Sequence, residues 1–210
     1  MSNYPVFTNK KDKTLVFYPV PKNANTSAKY FLVKHLGKED EYRRPFDLNN
    51  QFAIHIDNLS KPKVTDLLPS KQKFDTCKAD EKAVILREPI DRFKSAYANK
   101  VVFKNKSYKN HSVEQVIEKL EQGKFEDKHF LPQTYFIGKD LNYFTIIATT
   151  QDLKPFEDGL NKFFDKTIQF PKVRSGSSQI EVEITSSQKD RLYNIYKKDL
   201  ELYNDYNTQN

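Results

Sequence analysis

The chain has one cysteine, Cys77, among 210 residues. A single thiol excludes an internal disulfide, so an oxidising compartment offers the fold nothing. Long apolar runs are missing too: no stretch approaches the roughly 18 residues of a membrane span, and the first residues lack the apolar core of a signal peptide. These absences predict a cytoplasmic protein with no membrane partner. No His/Cys cluster has zinc spacing and no acidic cluster suggests a metal cage, so no metal is expected. No RNA-binding or zinc-finger motif is visible, and no internal repeat.

What is present fits one globular domain spanning residues 1–210. Hydrophobic residues make up 37% and aromatics 13%, well above the disordered range. Residues 1–13 and 204–210 are polar and read as loosely ordered ends. The formal charge of +7 suits solubility or attraction to an anion: a phosphorylated nucleotide, an acidic acceptor or nucleic acid. Composition does not choose among them.

Residues 14–37 organise the rest. Leu15-Val16-Phe17-Tyr18 reads as a buried strand. A turn with Pro19, Pro21, Asn23 and Asn25 follows. Thr26 and Ser27 then start a helix with Ala28, Phe31, Leu32 and Leu36 on one face, and Gly37 ends it. Strand, tight loop, hydroxyl pair and helix make an anion site: unpaired N–H groups and a partial positive charge at the helix start, with a full charge from Lys22. The Walker A pattern GxxxxGK[ST] is absent.

Further on, residues 51–56 read as a strand with Phe52, Ile54 and Ile56 on one face and His55 on the other. A helical turn is expected at 64–68. Ala83-Val84-Ile85-Leu86 suits a central parallel strand, and Pro89 opens a helix with Ile90, Phe93, Ala96 and Tyr97 as its stripe. Residues 101–110 read as an exposed basic loop. Ser112 with Gln115 forms a capping box closed by Gly123. A short helix is expected after Pro132, a strand at 143–148 and a helix at 152–164. Residues 166–178 form a loop, and Thr185 with Gln188 caps a last helix that docks Leu192, Tyr196 and Leu200 on the sheet. Strands alternating with helices predict an α/β fold: a mostly parallel central sheet flanked by helices, with a P-loop-like nucleotide site.

Two strand ends therefore deliver a basic residue into a turn that opens a helix: Lys22 to Ser27, and Arg87 to Ser95. In open α/β sheets such ends converge on a ligand crevice, and two anion corners suit a ligand phosphorylated at both ends. His55 is a candidate general base, since imidazole titrates near neutrality. Arg92 reads as a solvated helix residue, and His35 and His111 as surface residues.

Pro21-Lys22-Asn23-Ala24-Asn25-Thr26-Ser27 resembles the 5′-phosphosulfate loop of sulfotransferases that use 3′-phosphoadenosine 5′-phosphosulfate (PAPS). Arg87-Glu88-Pro89-Ile90-Asp91-Arg92-Phe93-Lys94-Ser95 is similar to their 3′-phosphate motif, and the two lie 65 residues apart, Lys22 to Arg87. His129-Phe130-Leu131-Pro132-Gln133 resembles a mid-domain element of the carbohydrate-type family. The resemblance implies PAPS as sulfuryl donor and adenosine 3′,5′-bisphosphate as product, with a hydroxyl acceptor that includes glycans. It implies donor contacts from Lys22, Asn23, Ala24, Asn25, Thr26, Ser27, Arg87 and Ser95, with Lys172 and Arg174 from the loop where relatives hold the nucleotide. It adds His129 beside His55 and Lys22 as a catalytic candidate. A small-molecule kinase and a non-catalytic nucleotide- or nucleic-acid-binding module are the alternatives.

Overall fold

In a computed structural model of the chain, the described residues are 4–37, 71–72, 78–171 and 179–209. They fall into two compact units, one within Met1–Leu86 and Asn142–Arg174, the other within Arg87–Leu141 and Ser175–Asn210.

The first unit holds the sheet. Strand β1 (Tyr4–Thr8) and β2 (Thr14–Tyr18) form an antiparallel hairpin with Val6 opposite Val16. Its turn is shaped by Asn9, whose Oδ1 accepts from the N–H groups of Lys11 and Lys13 at 2.9 and 3.1 Å. The sequence reading placed these residues in a loose lead-in. The alternation around Val6 and Phe7 is too short to stand out, and only pairing with β2 makes it a strand.

β3 (Lys71–Gln72) adds antiparallel to β1. β4 (Glu81–Leu86) runs parallel to β2, and β5 (Ile146–Thr149) parallel to β4, for a sheet order β3-β1-β2-β4-β5. The three strands β2, β4 and β5 form the expected parallel core. Residues 15–18 and 83–86 are buried, as strands covered on both faces require.

Helix α1 (Asn25–His35) follows β2. Its Ala28, Phe31 and Leu32 pack with Leu15 and Phe17 of β2 and Ala83 and Ile85 of β4. Further along in the chain, α5 (Lys154–Phe164) supplies Phe156, Leu160 and Phe163 to the same core. It comes close to β5 at Gly159, where an added Cβ would lie 2.8 Å from Ile146 Cγ2. Gly37 closes α1 with φ +67°, as its sequence position predicts.

The second unit is helical. α2 (Pro89–Tyr97) continues without interruption into a π-helical turn, Ala98–Phe103. α3 (Val113–Glu121) carries the expected Ser112–Gln115 capping box, and α4 (Gln133–Ile137) is the short helix after Pro132. Thr185 and Gln188 cap α6 (Ser186–Ile195), and α7 (Lys197–Gln209) follows after a break at Tyr196. Ile90 and Phe93 of α2, Val116, Ile117 and Leu120 of α3, and Leu192 with Tyr196 make one core. Arg191 pins α6 to α3, pairing with Glu114 and, at 2.7 Å, with Glu121.

Three expectations change here. Residues 102–106, 109 and 110 are exposed as expected, but the segment is not all loop: the π-helical turn runs to Phe103, and Val101 and Tyr108 are buried, because Val101 extends the apolar stripe of α2 and the Tyr108 hydroxyl finds Lys124 O at 2.7 Å. The predicted last helix is two, α6 and α7, and Leu192 with Tyr196 packs in one core with residues of α2 and α3. Residues 204–209 are helical, as the continuation of α7. The predicted strand at 51–56 and turn at 64–68 lie outside the described residues. No helix among the described residues is long and apolar enough to cross a membrane.

Candidate functional site

In the first unit, the loop from Pro19 to Ala24 leaves the carboxyl end of β2 and opens α1. Lys22 and Ala24 both have left-handed backbone, with φ of +72° and +53°. Non-glycine residues seldom accept that conformation, and strained backbone of this kind concentrates at ligand sites. The loop is held to the sheet by Asn23, which is 1% exposed and donates its side-chain amide to Ile85 O of β4 at 2.8 Å. Asn23 thus works as an anchor for the turn. Helix α1 begins at Asn25, one residue before the predicted start. Its N-terminus carries no side-chain cap and no acidic residue in its first turn. Lys22, Asn25 and Thr26 are half-buried and Ser27 is buried. A helix start with its own N–H groups uncapped, a lysine and two hydroxyls nearby, and no acidic residue in its first turn has the composition of an anion cradle.

The second unit begins at Arg87, directly after the last residue of β4. Arg87 is half-buried. Burial pushes its pKa down, while the charges of Asp91 and Glu88 pull the other way; an arginine stays cationic under such pressure. A partly desolvated guanidinium has the fork that matches phosphate oxygens. The start of α2 differs from that of α1: Glu88 caps it, accepting from Asp91 N–H at 2.7 Å. At this end the helix start is occupied by its own cap, and the arginine side chain is the cationic group. Ser95 is half-buried on α2.

Arg87 is also gripped through its backbone. Its N–H donates to Gln133 Oε1 at 3.0 Å, and its carbonyl accepts from Gln133 Nε2 at 2.7 Å. Four residues before that glutamine in the chain, the His129 ring nitrogen Nδ1 lies 2.5 Å from Asp127 Oδ1. Asp127 also accepts from His129 N–H at 2.9 Å and from the Ser107 hydroxyl at 2.7 Å. Burial raises the Asp127 pKa, but these hydrogen bonds outweigh it and hold the carboxyl well below its ordinary value. An ionised Asp127 fixes the proton of neutral His129 on Nδ1, and the lone pair is then on Nε2.

The model of the sulfotransferase family matches residues 5–207, across both units. The chain belongs to the sulfotransferase family. No curated protein and no solved structure matches it. Family membership makes sulfuryl transfer to a hydroxyl acceptor the general chemistry and sets aside the kinase and nucleic-acid-module alternatives.

For a sulfotransferase, the two corners predicted from sequence are both present as strand ends leading into helices. Lys22 to Ser27 lie together on one loop and helix start of the first unit. Arg87, Ser95 and His129 belong to the second unit, where Gln133 ties the segment of His129 to Arg87. His55, Lys172 and Arg174 lie outside the described residues. Two residues were misread. Arg92 is not solvated but 2% exposed, and His35 is not on the surface but 3% exposed. His35 ring nitrogens bond Phe31 O and Asn161 Oδ1, both at 2.9 Å. In each case the residue occupies the buried face of its helix, where polar groups persist only when partnered.

Sequence reasoning missed Asp127, Gln133 as an anchor, and Asp199. Asp127 precedes His129 by two residues, a local signal open to reading. Asp199, 0% exposed, gives no local sign of its role.

Proposed function

We infer that the protein transfers the sulfuryl group of PAPS to an acceptor hydroxyl, with a carbohydrate as the first class to try. The observation that carries this reading is the uncapped, non-acidic start of α1 behind the left-handed turn at Lys22 and Ala24. The N–H groups there and the Lys22 ammonium suit the 5′-phosphosulfate. The half-buried Arg87 with Ser95 suits the 3′-phosphate, since a guanidinium fork matches phosphate oxygens.

In the reaction the acceptor oxygen attacks sulfur in line, and the bond from sulfur to the bridging oxygen of the 5′-phosphate breaks. The electron pair stays on that oxygen, and adenosine 3′,5′-bisphosphate departs. Lys22 and the helix start stabilise the charge that grows there. The acceptor proton needs a base, and His129 oriented by Asp127 supports that role through its Nε2. His55 is the competing base, argued from strand alternation alone.

Thermal shift with adenosine 3′,5′-bisphosphate beside 5′-AMP, ATP and buffer tests the donor. Ligand at about 100 times Kd should stabilise the folded protein by about 2.7 kcal/mol. Selective stabilisation by the 3′,5′-bisphosphate is expected, and equal shifts with 5′-AMP would remove the 3′-phosphate reading. His129→Ala should abolish transfer and keep nucleotide binding. A normal rate in that variant, with His55→Ala dead, assigns the base to His55.

A further inference from the structure

The second unit contains a buried polar chain that the transfer reaction does not use directly. Gln133 is 0% exposed, and both ends of its amide go to one residue, Arg87. A glutamine amide offers an oxygen acceptor and an NH2 donor, the same kinds of group a neighbouring strand would offer. Arg87 is the first residue past the end of β4, so Gln133 serves its peptide groups as one more rung of a ladder.

Gln133 is itself held from a distant helix. Its backbone N–H donates to Asp199 Oδ2 at 2.5 Å, and Thr134 N–H donates to Asp199 Oδ1 at 2.9 Å. The carboxylate of α7 thereby caps a helix of five residues, α4, whose own N-cap residue, Pro132, offers no side-chain bond. Buried carboxylates are costly, and a local serine or aspartate caps a helix at far lower cost. The arrangement fixes the place of Gln133. Burial of Arg92 lowers its pKa, and the Asp199 carboxylate works against that shift.

We propose that Gln133 is a positioning residue: its amide clamps the Arg87 peptide, Asp199 fixes the clamp, and the Arg87 side chain is thereby aimed at the 3′-phosphate. This rests on the reading of Arg87 given above. Fixing N–H and C=O of one residue fixes its backbone angles and hence the direction in which its side chain leaves. The gain is preorganisation, because a ligand phosphate meets a guanidinium that need not be ordered on binding.

The test compares adenosine 3′,5′-bisphosphate with 5′-AMP by titration calorimetry on the full chain. Gln133→Ala should raise Kd for the 3′,5′-bisphosphate about 10-fold or more, the worth of about two buried hydrogen bonds, and leave 5′-AMP nearly unchanged. Gln133→Glu keeps the acceptor for Arg87 N–H and should restore part of the loss. In an Arg87→Ala background, Gln133→Ala should add nothing, because the two act as one unit. Equal loss for both nucleotides, or a further loss in the Arg87→Ala background, overturns the clamp. So does failure of both Gln133 variants to fold, which would make the residue a stability element. If Arg87→Ala alone weakens both nucleotides equally, it is the reading of Arg87 that falls, and that result is separate from the others.

Discussion

The turns at Lys22 and at Arg87 are built by different physics. The turn at Lys22 is set mainly by its own residues: two left-handed residues shape it, one long-range bond from Asn23 to Ile85 O ties it to the sheet, and its helix start is left uncapped. The turn at Arg87 is non-local: its helix start is already capped by Glu88, and the arginine is placed by Gln133 and, through it, by Asp199, 112 residues from Arg87 in the chain. A local device can be read and altered residue by residue. A non-local one fails as a unit, because buried charges and their partners depend on one another.

The largest effect separating the two should come from Asp199→Ala. It strips the N–H groups of Gln133 and Thr134 of their acceptor and removes the charge that favours buried Arg92. A loss of about 3–5 kcal/mol is expected, typical of breaking a buried charged group away from its partners. Urea denaturation followed by circular dichroism measures it, and a loss under about 1 kcal/mol, the scale of one ordinary hydrogen bond, would show the second corner to be as locally built as the first.

Lys22→Ala sharpens the contrast from the other side. It should lower turnover by on the order of 10²-fold or more, as for other groups that stabilise developing charge, while leaving the melting temperature nearly unchanged. Nucleotide binding should fall less than turnover. A turnover near that of the wild type would move the catalytic charge elsewhere.

Ala24→Gly removes the Cβ from a left-handed residue. Relief of a strain of about 1 kcal/mol is partly offset by the greater freedom of glycine in the unfolded chain, so stability should rise slightly or hold. A clear loss would mean that the turn is held by the Ala24 side chain and not by its backbone.

The smallest effect is a pH dependence within the first unit. Burial of His35 lowers its pKa below the ordinary 6.5, against the opposing hydrogen bonds to Phe31 and Asn161. The unfolded chain therefore takes up the proton more readily than the folded one. The stability contributed by neutral His35 is complete above pH 6.5 and declines as the pH falls below it. Urea midpoints at neutral and mildly acidic pH should differ less in His35→Gln than in the wild type.

Much of this protein is legible without coordinates. The runs Leu15 to Tyr18 and Ala83 to Leu86 are continuous and apolar, which burial on both faces of a parallel sheet demands. Ser112 with Gln115 and Thr185 with Gln188 announce helix starts because both partners of a capping box are three residues apart. The Lys22 and Arg87 corners stand out because strand end, turn and helix are adjacent in the chain. What sequence cannot carry is the partner that arrives from far away. Arg92 and His35 are polar side chains that look solvent-bound until Tyr196 and Asp199, or Asn161, are brought beside them. Val6 and Phe7 become a strand only when β2 offers its edge. The grip of Gln133 on Arg87, and of Asp199 on Gln133, exists because folding brings 87, 133 and 199 together, and hydrogen bonds of that span leave no period or spacing in the chain.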